Sequence, residues 1–209
     1  MKFISDLVFG AGYLDMKHTG RKLYHLICGV GLLSLYYLMG RDRALTFYAV
    51  LFLIILAFEI TRLEIPAFNR FIFDKFASFI RENERHRLTG TASYVLGIGL
   101  SLYVYSPEVA TVAICFLAFG DVAATMVGER YGRTKIGQKS LEGTFAFVAA
   151  ALLSGLILSS IGVQLKIGVI ILGALIAAGV ELLPLPMNDN MMIPLAAGAI
   201  MELALRLFS

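Results

Sequence analysis

Residues suited to phosphate chemistry interrupt an apolar stretch between Phe119 and Ala150. Asp121 lies inside a helix-like apolar run, where an ionisable side chain is costly and is usually retained for function. The glycine- and cation-rich loop Gly128–Ser140 follows and leads into a second apolar run at Glu142. Glycine lets the backbone approach a ligand closely, and lysine and arginine neutralise phosphate charge. The segment therefore predicts a membrane enzyme that acts on a phosphate compound.

The loop supplies most of the predicted phosphate-binding residues. It is not a Walker motif, because Gln138 is inserted before the Lys139–Ser140 pair and no strand leads into the loop. An alternative interpretation is a set of charges that orients the chain in the membrane and contacts lipid headgroups. The phosphate-binding residues that we predict are Gly128, Gly132, Arg133, Lys135, Lys139 and Ser140, with Arg87 from before the third apolar run.

Oxygen-bearing side chains farther along the chain predict a magnesium site. Glu181 follows fourteen uncharged residues and ends a predicted helix, where the helix dipole disfavours an acid. Asp189 and Asn190 follow a turn that contains two prolines. Together with Asp121 they offer the hard oxygen ligands that Mg²⁺ prefers. Asp121 is thus a candidate metal ligand or catalytic base, and the alternative is a structural hydrogen bond to a neighbouring helix.

Three residues form the predicted catalytic group. A carboxylate, either Asp121 or Glu142, would orient or deprotonate an acceptor hydroxyl. Lys139 would neutralise the charge of the phosphates, because phosphoryl transfer depends on positioning and charge neutralisation. Glu142 also has a purely structural interpretation, since an acid at a helix N-terminus is stabilised by roughly 0.3–1 kcal/mol.

The composition predicts that these residues are positioned by membrane helices. The chain has 209 residues, is 58% hydrophobic and has a mean hydropathy of +0.80, whereas soluble domains are about 45–50% apolar. We therefore predict an all-α, polytopic membrane helix bundle that forms a single domain over residues 1–209. A span needs about 20 apolar residues. The seven predicted spans are Leu23–Gly40, Ala44–Ile60, Thr91–Ser106, Glu108–Gly128, Gly143–Val163, Ile167–Leu183 and Met191–Phe208.

The segment Pro66–Ile80 has a different pattern, with apolar residues at helical spacing and polar residues between them. This pattern predicts an amphipathic helix that lies in the membrane interface or covers the end of the bundle. Its apolar positions are Phe68, Phe71, Ile72, Phe76 and Phe79.

The distribution of positive charge predicts the orientation. With seven spans, fourteen of the 18 lysines and arginines fall on one side, which the positive-inside rule assigns to the cytoplasm. The N-terminus is then cytoplasmic and the C-terminus lies on the opposite side. The expected membrane is the inner or plasma membrane of the cell or the endoplasmic reticulum. The polar motifs fall on the same side; they are RKLYH (21–25), FEITRLE (58–64), ENERHRLTGT (82–91), the glycine loop and ELLPLPMNDN (181–190).

Two further features carry little functional information. Cys28 and Cys115 both lie in apolar runs without CxxC spacing, so we interpret them as small buried side chains and expect neither zinc nor a disulfide. The first 21 residues include Asp6, Asp15 and Lys17, and we predict no cleavable signal peptide there.

At these motifs the chain resembles the polyprenol kinase family, which comprises dolichol, phytol and farnesol kinases and CTP-dependent diacylglycerol kinases. The resemblance is carried by FGDVAATMVGERYGR, KSLEGTFAF and ELLP…DN, with weaker support from RKLYH and the E…TG stretch. More distantly, the chain resembles integral-membrane phosphatidate cytidylyltransferases. The site residues that the resemblance implies are Asp121, Lys139, Ser140, Glu142, Gly143, Glu181, Asp189 and Asn190.

The resemblance implies phosphorylation of a lipid alcohol at the cytoplasmic face, with CTP as donor and Mg²⁺ as cofactor. The acceptor is a prenyl alcohol such as dolichol, phytol, geranylgeraniol or farnesol, or it is diacylglycerol. The expected partners are the nucleoside triphosphate, the lipid alcohol and membrane lipids, with no nucleic acid, and the oligomeric state is left open. The alternatives are a CTP:lipid-phosphate cytidylyltransferase and, from another class, a membrane transporter.

Overall fold

The chain folds into a bundle of membrane helices, in agreement with the predicted all-α class. The structure is a computed structural model that describes residues 16–76, 80, 84–184 and 187–208. Phe79 of the predicted amphipathic helix and Pro186, the second proline of the turn before Asp189, lie outside these ranges. The described helices are α1 (Met16–Met39), α2 (Arg41–Glu64), α3 (Pro66–Phe76), α4 (Gly90–Val104), α5 (Pro107–Cys115), α6 (Asp121–Tyr131), α7 (Leu141–Ser160), α8 (Ile167–Leu182) and α9 (Asp189–Phe208).

Five of the described helical segments are long and apolar enough to cross a membrane. They are Gly20–Met39, Arg41–Glu64, Pro107–Tyr131, Leu141–Ser160 and Asp189–Leu207. The other two predicted spans are also helices, but α4 has 15 residues and α8 has 16, fewer than the roughly 17 needed to cross the hydrocarbon core. The protein is therefore a polytopic membrane protein, and the count of seven spans stays a prediction.

The helix that carries Asp121 lies at the centre of the bundle. Over its most apolar window 72% of the residues are buried, whereas the corresponding value is 17–39% in the four other long helices. Side chains such as Ile114, Phe116 and Leu117 are at most 1% exposed. Asp121, which is 3% exposed on this helix, is consequently shielded from both lipid and water.

A π-helical turn, Phe116–Gly120, interrupts this helix immediately before Asp121. Such a turn inserts one extra residue into an α-helix and is frequently found at functional sites. The insertion rotates every following side chain about the helix axis relative to an uninterrupted α-helix. Gly120 lies in close contact with the ring of Phe147 on α7, which leaves no room for a side chain at this position.

Helix α3 packs against the end of α2, as expected if it covers the end of the bundle. Its buried residues are Asn69, Ile72 and Phe73, and the ring of Phe68 lies 5.5 Å from the ring of Phe58 on α2. Phe71 and Phe76 remain about half exposed. The helix is described as far as Phe76, and positions 77–79 of the predicted segment lie outside the described residues.

The two ends of the bundle differ in chemistry. One end carries the starts of α1, α4, α7 and α9 and the ends of α2, α6 and α8, and we call it the polar end. It holds the five motifs that the sequence places on one side. At the opposite end, Ser106 donates to the Glu202 carboxylate at 2.9 Å from its hydroxyl and 3.1 Å from its amide. The charge separation predicted from the sequence thus corresponds to two ends of one bundle.

Candidate active site

Asp121 is buried at the polar end and forms an ion pair with Lys22 of α1. Both residues are at most 4% exposed. One carboxylate oxygen, Oδ2, accepts from the Lys22 ammonium, while Oδ1 is buried and has no hydrogen-bond partner among the described residues. A buried charge needs a partner, so Lys22 allows Asp121 to stay ionised. Lys22 belongs to the RKLYH motif, yet we did not predict it as a site residue.

Lys139 joins the hairpin after α6 to the carboxylates at the end of α8. Its Nζ lies 2.5 Å from Glu181 Oε1 and 3.5 Å from Asp189 Oδ2. Burial lowers the pKa of Lys139, but the charges of Glu181, Asp189 and Asp121 outweigh it and raise the pKa above its usual value. Lys139 therefore carries a positive charge throughout the physiological pH range. The structure thus brings together the predicted site residues Asp121, Lys139, Glu181 and Asp189, which come from three separate parts of the sequence.

A polar pocket of about 680 Å³ opens beside Lys139. Its lining includes Arg87 and Glu84 from the loop before α4, the hairpin turn Gly137–Gln138, and the segment that follows α8. The pocket walls carry Glu181 and Asp189 as well as Lys139. A phosphate group placed here would contact cations, and a divalent cation would contact carboxylates.

The predicted phosphate-binding glycines allow close packing of α6, the hairpin and α7. A methyl group on Gly132 would lie 2.2 Å from the Gly128 carbonyl oxygen, and one on Gly128 would lie 3.0 Å from Ser140 Oγ. Ser140 is buried and caps α7, because its Oγ accepts from the Gly143 N–H at 3.1 Å. In the structure, Gly128, Gly132 and Ser140 fix the hairpin that carries Lys139.

Gly143 offers a direct test of this packing. A Cβ atom there would lie 2.7 Å from the Ala124 carbonyl oxygen, a contact that only separation of α6 and α7 relieves. We expect Gly143→Ala to lower the unfolding temperature in detergent by several degrees, although alanine is the better helix former. The matched control is Gly179→Ala, because no described neighbour lies within 4 Å of a Cβ atom there. Equal unfolding temperatures for the two variants would contradict the close helix contact.

Other predicted residues lie outside the polar pocket. Lys135 is exposed and reaches the Gly128 carbonyl oxygen at 3.4 Å, and Arg133 is exposed without lining the pocket. The Glu142 carboxylate accepts from the Thr134 N–H at 3.1 and 3.2 Å. Glu142 therefore closes the hairpin, and its catalytic role stays a prediction.

The hairpin itself is short. Strands β1 (Lys135–Ile136) and β2 (Lys139–Ser140) pair antiparallel, and Gly137 occupies the turn between them with φ of +59°. This left-handed conformation suits glycine in a two-residue turn.

Arg62 is a second buried centre at the polar end. It is fully buried, and its guanidinium donates to Glu59 at 2.8 Å, to Asn69 of α3 at 2.8 Å and to the Arg87 carbonyl at 2.7 Å. Glu59 in turn accepts from the N–H of Thr89 at 2.9 Å. Glu59 and Arg62 thus form a buried ion pair within α2, and its contacts with α3 and with the loop before α4 fix that loop, which carries Arg87.

The predicted magnesium ligands are not gathered into one cluster. Among the described residues, no group of three or more Asp, Glu, His or Cys side chains could hold a metal ion. Asn190 donates its side-chain amide to the Gly90 carbonyl oxygen at 3.1 Å and so links α9 to α4. Glu181 Oε2 and Asp121 Oδ1, however, are buried oxygens without a hydrogen-bond partner in the described structure. This fits an Mg²⁺ ion that keeps waters and binds one or two carboxylates together with substrate phosphates.

An apolar groove of about 980 Å³ lies between α1, the Pro107–Tyr131 helix and α7. Val122 and Ala123, which follow Asp121, line it, as does Leu26, one turn after Lys22. Lys139 of the polar pocket interacts electrostatically with Asp121. The Lys22–Asp121 ion pair thus lies next to residues that line the apolar groove and within electrostatic range of Lys139 in the polar pocket.

Fold and site together define an integral membrane protein whose charged centre lies near a polar and an apolar cavity. Its relatives include lipid kinases, as the sequence motifs indicate. The chain is 27% identical to CTP-dependent diacylglycerol kinase 1 of Saccharomyces cerevisiae over 140 residues, which are 64% of this chain and 48% of the relative. It is 29% identical to a probable chloroplastic phytol kinase of Zea mays over 211 residues, covering 92% of this chain and 68% of the relative.

A third relative is the phytol kinase of a Synechocystis species, which is 31% identical over 122 residues. This alignment covers 53% of this chain and 52% of the relative. The chain thus spans about half the length of the diacylglycerol kinases that it matches. No family model and no solved structure match it.

Proposed function

We propose that the protein is an Mg²⁺-dependent kinase that transfers the γ-phosphate of CTP to a membrane lipid alcohol, giving a lipid monophosphate and CDP. The observation that carries the proposal is the position of the Lys22–Asp121 pair, next to residues that line the apolar groove and within electrostatic range of Lys139 in the polar pocket. A kinase of this kind needs both cavities, because its donor is polyanionic and its acceptor is apolar. The relatives named as CTP-dependent diacylglycerol kinases support CTP as the donor.

The residues then act as follows. Lys139 and Arg87 neutralise the nucleotide phosphates in the polar pocket, which is where phosphoryl transfer gains most of its rate. Asp121, with its unpaired Oδ1, accepts the proton of the acceptor hydroxyl. Lys22 positions Asp121 and keeps it ionised. Glu181 and Asp189 would hold magnesium, which supplies charge neutralisation between the phosphates when the nucleotide is bound.

The proposal includes the orientation and the extent of the domain. The polar end faces the cytoplasm, where CTP is available, and the excess of lysine and arginine at this end supports that placement. The N-terminus is then cytoplasmic, and residues 1–209 form one domain with seven spans and an interfacial α3. The two short helices, α4 and α8, reach from the polar end into the bundle. Arg87 lies just before the start of α4, and Glu181 lies at the end of α8.

Labelled nucleotides test the reaction. Purified protein in lipid nanodiscs with Mg²⁺ is incubated with α- or γ-labelled CTP or ATP and an emulsified lipid alcohol or lipid phosphate. The γ-label is expected in the lipid and the α-label in CDP. Release of the γ-label as pyrophosphate, with the α-label in the lipid, would instead identify a cytidylyltransferase. Solute flux into sealed vesicles that contain the protein, without nucleotide turnover, would favour a transporter.

Lys139→Gln tests the phosphate site. Loss of one charge-assisted contact to phosphate costs about 1.5–3 kcal/mol, so kcat/KM for CTP is expected to fall about 10- to 100-fold, mainly through KM. Lys166→Gln, an exposed lysine before α8 at the opposite end of the bundle, is the matched control and should retain wild-type kinetics. An unchanged KM for CTP in the Lys139 variant would remove Lys139 from the nucleotide site.

A further inference from the structure

The apolar groove has a shape suited to a single extended chain. It follows α1 from Leu26 to Tyr37, about 16 Å at the rise of 1.5 Å per residue of an α-helix. Small side chains provide space in it: Ala123 of α6, and Ala150 and Ser154 of α7. The groove therefore runs lengthwise along the bundle, and lining residues such as Leu153 and Ile157 are more than half exposed.

Hydrogen-bond donors in this groove are already used. Ser34 donates to the Val30 carbonyl at 2.8 Å, and Ser154 donates to the Ala151 carbonyl at 2.8 Å. Thr111 donates to the Pro107 carbonyl at 2.6 Å, so the hydroxyl of Tyr37, 2.6 Å from Thr111 Oγ1, is the donor in that pair. Of the hydroxyl groups that line the described groove, none is left to donate to a guest molecule.

The hydroxyl that reacts must reach a nearly buried carboxylate. Asp121 is only 3% exposed, and its flanking residues Val122 and Ala123 line the groove beside Leu26. A primary alcohol at the end of a hydrocarbon chain brings a single polar group to this position. The hydroxyl of a diacylglycerol is accompanied by two ester groups, and burying an ester carbonyl without a donor costs free energy.

We propose that the groove between α1, the Pro107–Tyr131 helix and α7 binds the chain of a single-chain primary alcohol, and that this selects prenyl-type alcohols over diacylglycerol. The assignment rests on the proposed kinase function and specifies its acceptor. The alcohol lies with its hydroxyl at Asp121 and its tail towards Tyr37 and Thr111. Transfer forms a bond between the alcohol oxygen and the γ-phosphorus, breaks the bond to the β-phosphate oxygen, and leaves the hydroxyl proton on Asp121.

The acceptor preference is measured with γ-labelled CTP in nanodiscs. We expect kcat/KM for a C20 prenyl alcohol to exceed that for dioleoylglycerol at least tenfold. Ala150→Phe, which fills the groove, should raise the KM for the prenyl alcohol about tenfold and leave the KM for CTP unchanged. Ala57→Phe, at an exposed position of α2, adds the same volume outside the groove and should change neither constant. Preference for dioleoylglycerol, or an unchanged prenyl KM in a folded Ala150 variant, would overturn the proposal.

Photolabelling separates failure of the groove from failure of the kinase assignment. A photoactivatable C20 alcohol is expected to label peptides of α1, the Pro107–Tyr131 helix and α7 in the wild-type protein, with competition by prenyl alcohol and much less by dioleoylglycerol. Labelling of the groove without phosphate transfer to any alcohol would refute the kinase while upholding the groove. Phosphate transfer with labelling confined to other helices would uphold the kinase and refute the groove.

Discussion

Replacing Asp121 by Asn is expected to reduce phosphate transfer at least about 100-fold, because a general base typically contributes 10²–10⁴ to the rate. The amide keeps the shape of the carboxylate but cannot accept the hydroxyl proton. The measurement is turnover of γ-labelled CTP with saturating alcohol. Retention of more than a tenth of the wild-type kcat would exclude Asp121 as the base.

The ion pair complicates this variant, since Asp121→Asn leaves Lys22 buried without its partner. Breaking a buried pair costs roughly 3–5 kcal/mol, so loss of activity alone would not distinguish unfolding from loss of the base. The double variant Lys22→Met/Asp121→Asn removes both charges and is expected to recover most of the stability while staying inactive. A stable and active double variant would show that the pair has a structural role only.

Replacing Arg62 by Met is expected to lower the free energy of unfolding by about 3–5 kcal/mol. Arg62 is fully buried, and its removal leaves the Glu59 carboxylate in the interior without its cation. It also releases the Arg87 carbonyl, to which Arg62 donates at 2.7 Å. Unfolding by heat or denaturant in a mild detergent measures the loss.

A surface pair provides the control for Arg62. Arg206 and Glu202 are four residues apart on α9, with 3.9 Å between their charged atoms, and the Arg206 side chain is 76% exposed. Arg206→Met should therefore change stability by no more than about 0.5 kcal/mol. An Arg62→Met variant as stable as the Arg206 variant would show that the buried network does not hold the polar end together. If the network positions Arg87, the folded fraction of Arg62→Met should also show a raised KM for CTP.

Local sequence patterns were sufficient for the helices and for the chemistry of single residues. Helix formation follows from apolar length, and every predicted span corresponds to a helix of the structure. Asp121 and Glu181 were identified because a charge within or at the end of an apolar run is costly unless it has a partner or a function. Lys139 was identified from the basic, glycine-rich loop, and Asp189 from the oxygen-bearing side chains that follow the two prolines. The excess of positive charge at one end was likewise visible in the sequence.

Pairing between distant residues was decided by the packing of helices. Lys22 and Asp121 are 99 residues apart, and no local pattern relates them. The π-helical turn at Phe116–Gly120 changes the direction in which Asp121 projects from the helix, although the sequence of this turn does not differ from that of an ordinary apolar helix. Similarly, Glu142 was predicted as a catalytic carboxylate and Lys135 as a phosphate-binding cation, and in the structure both side chains contact backbone groups.

The sequence by itself determined that this chain is a membrane helix bundle with acids and lysines at one end, because hydrophobic length and the cost of buried charge are properties of short segments. Only the tertiary structure decided which charges meet, since that depends on how α1, α6 and α8 are rotated and how closely their small residues let them approach. It also revealed the two cavities near Lys22 and Asp121, because a cavity is formed by the surfaces of several helices and belongs to none of them alone.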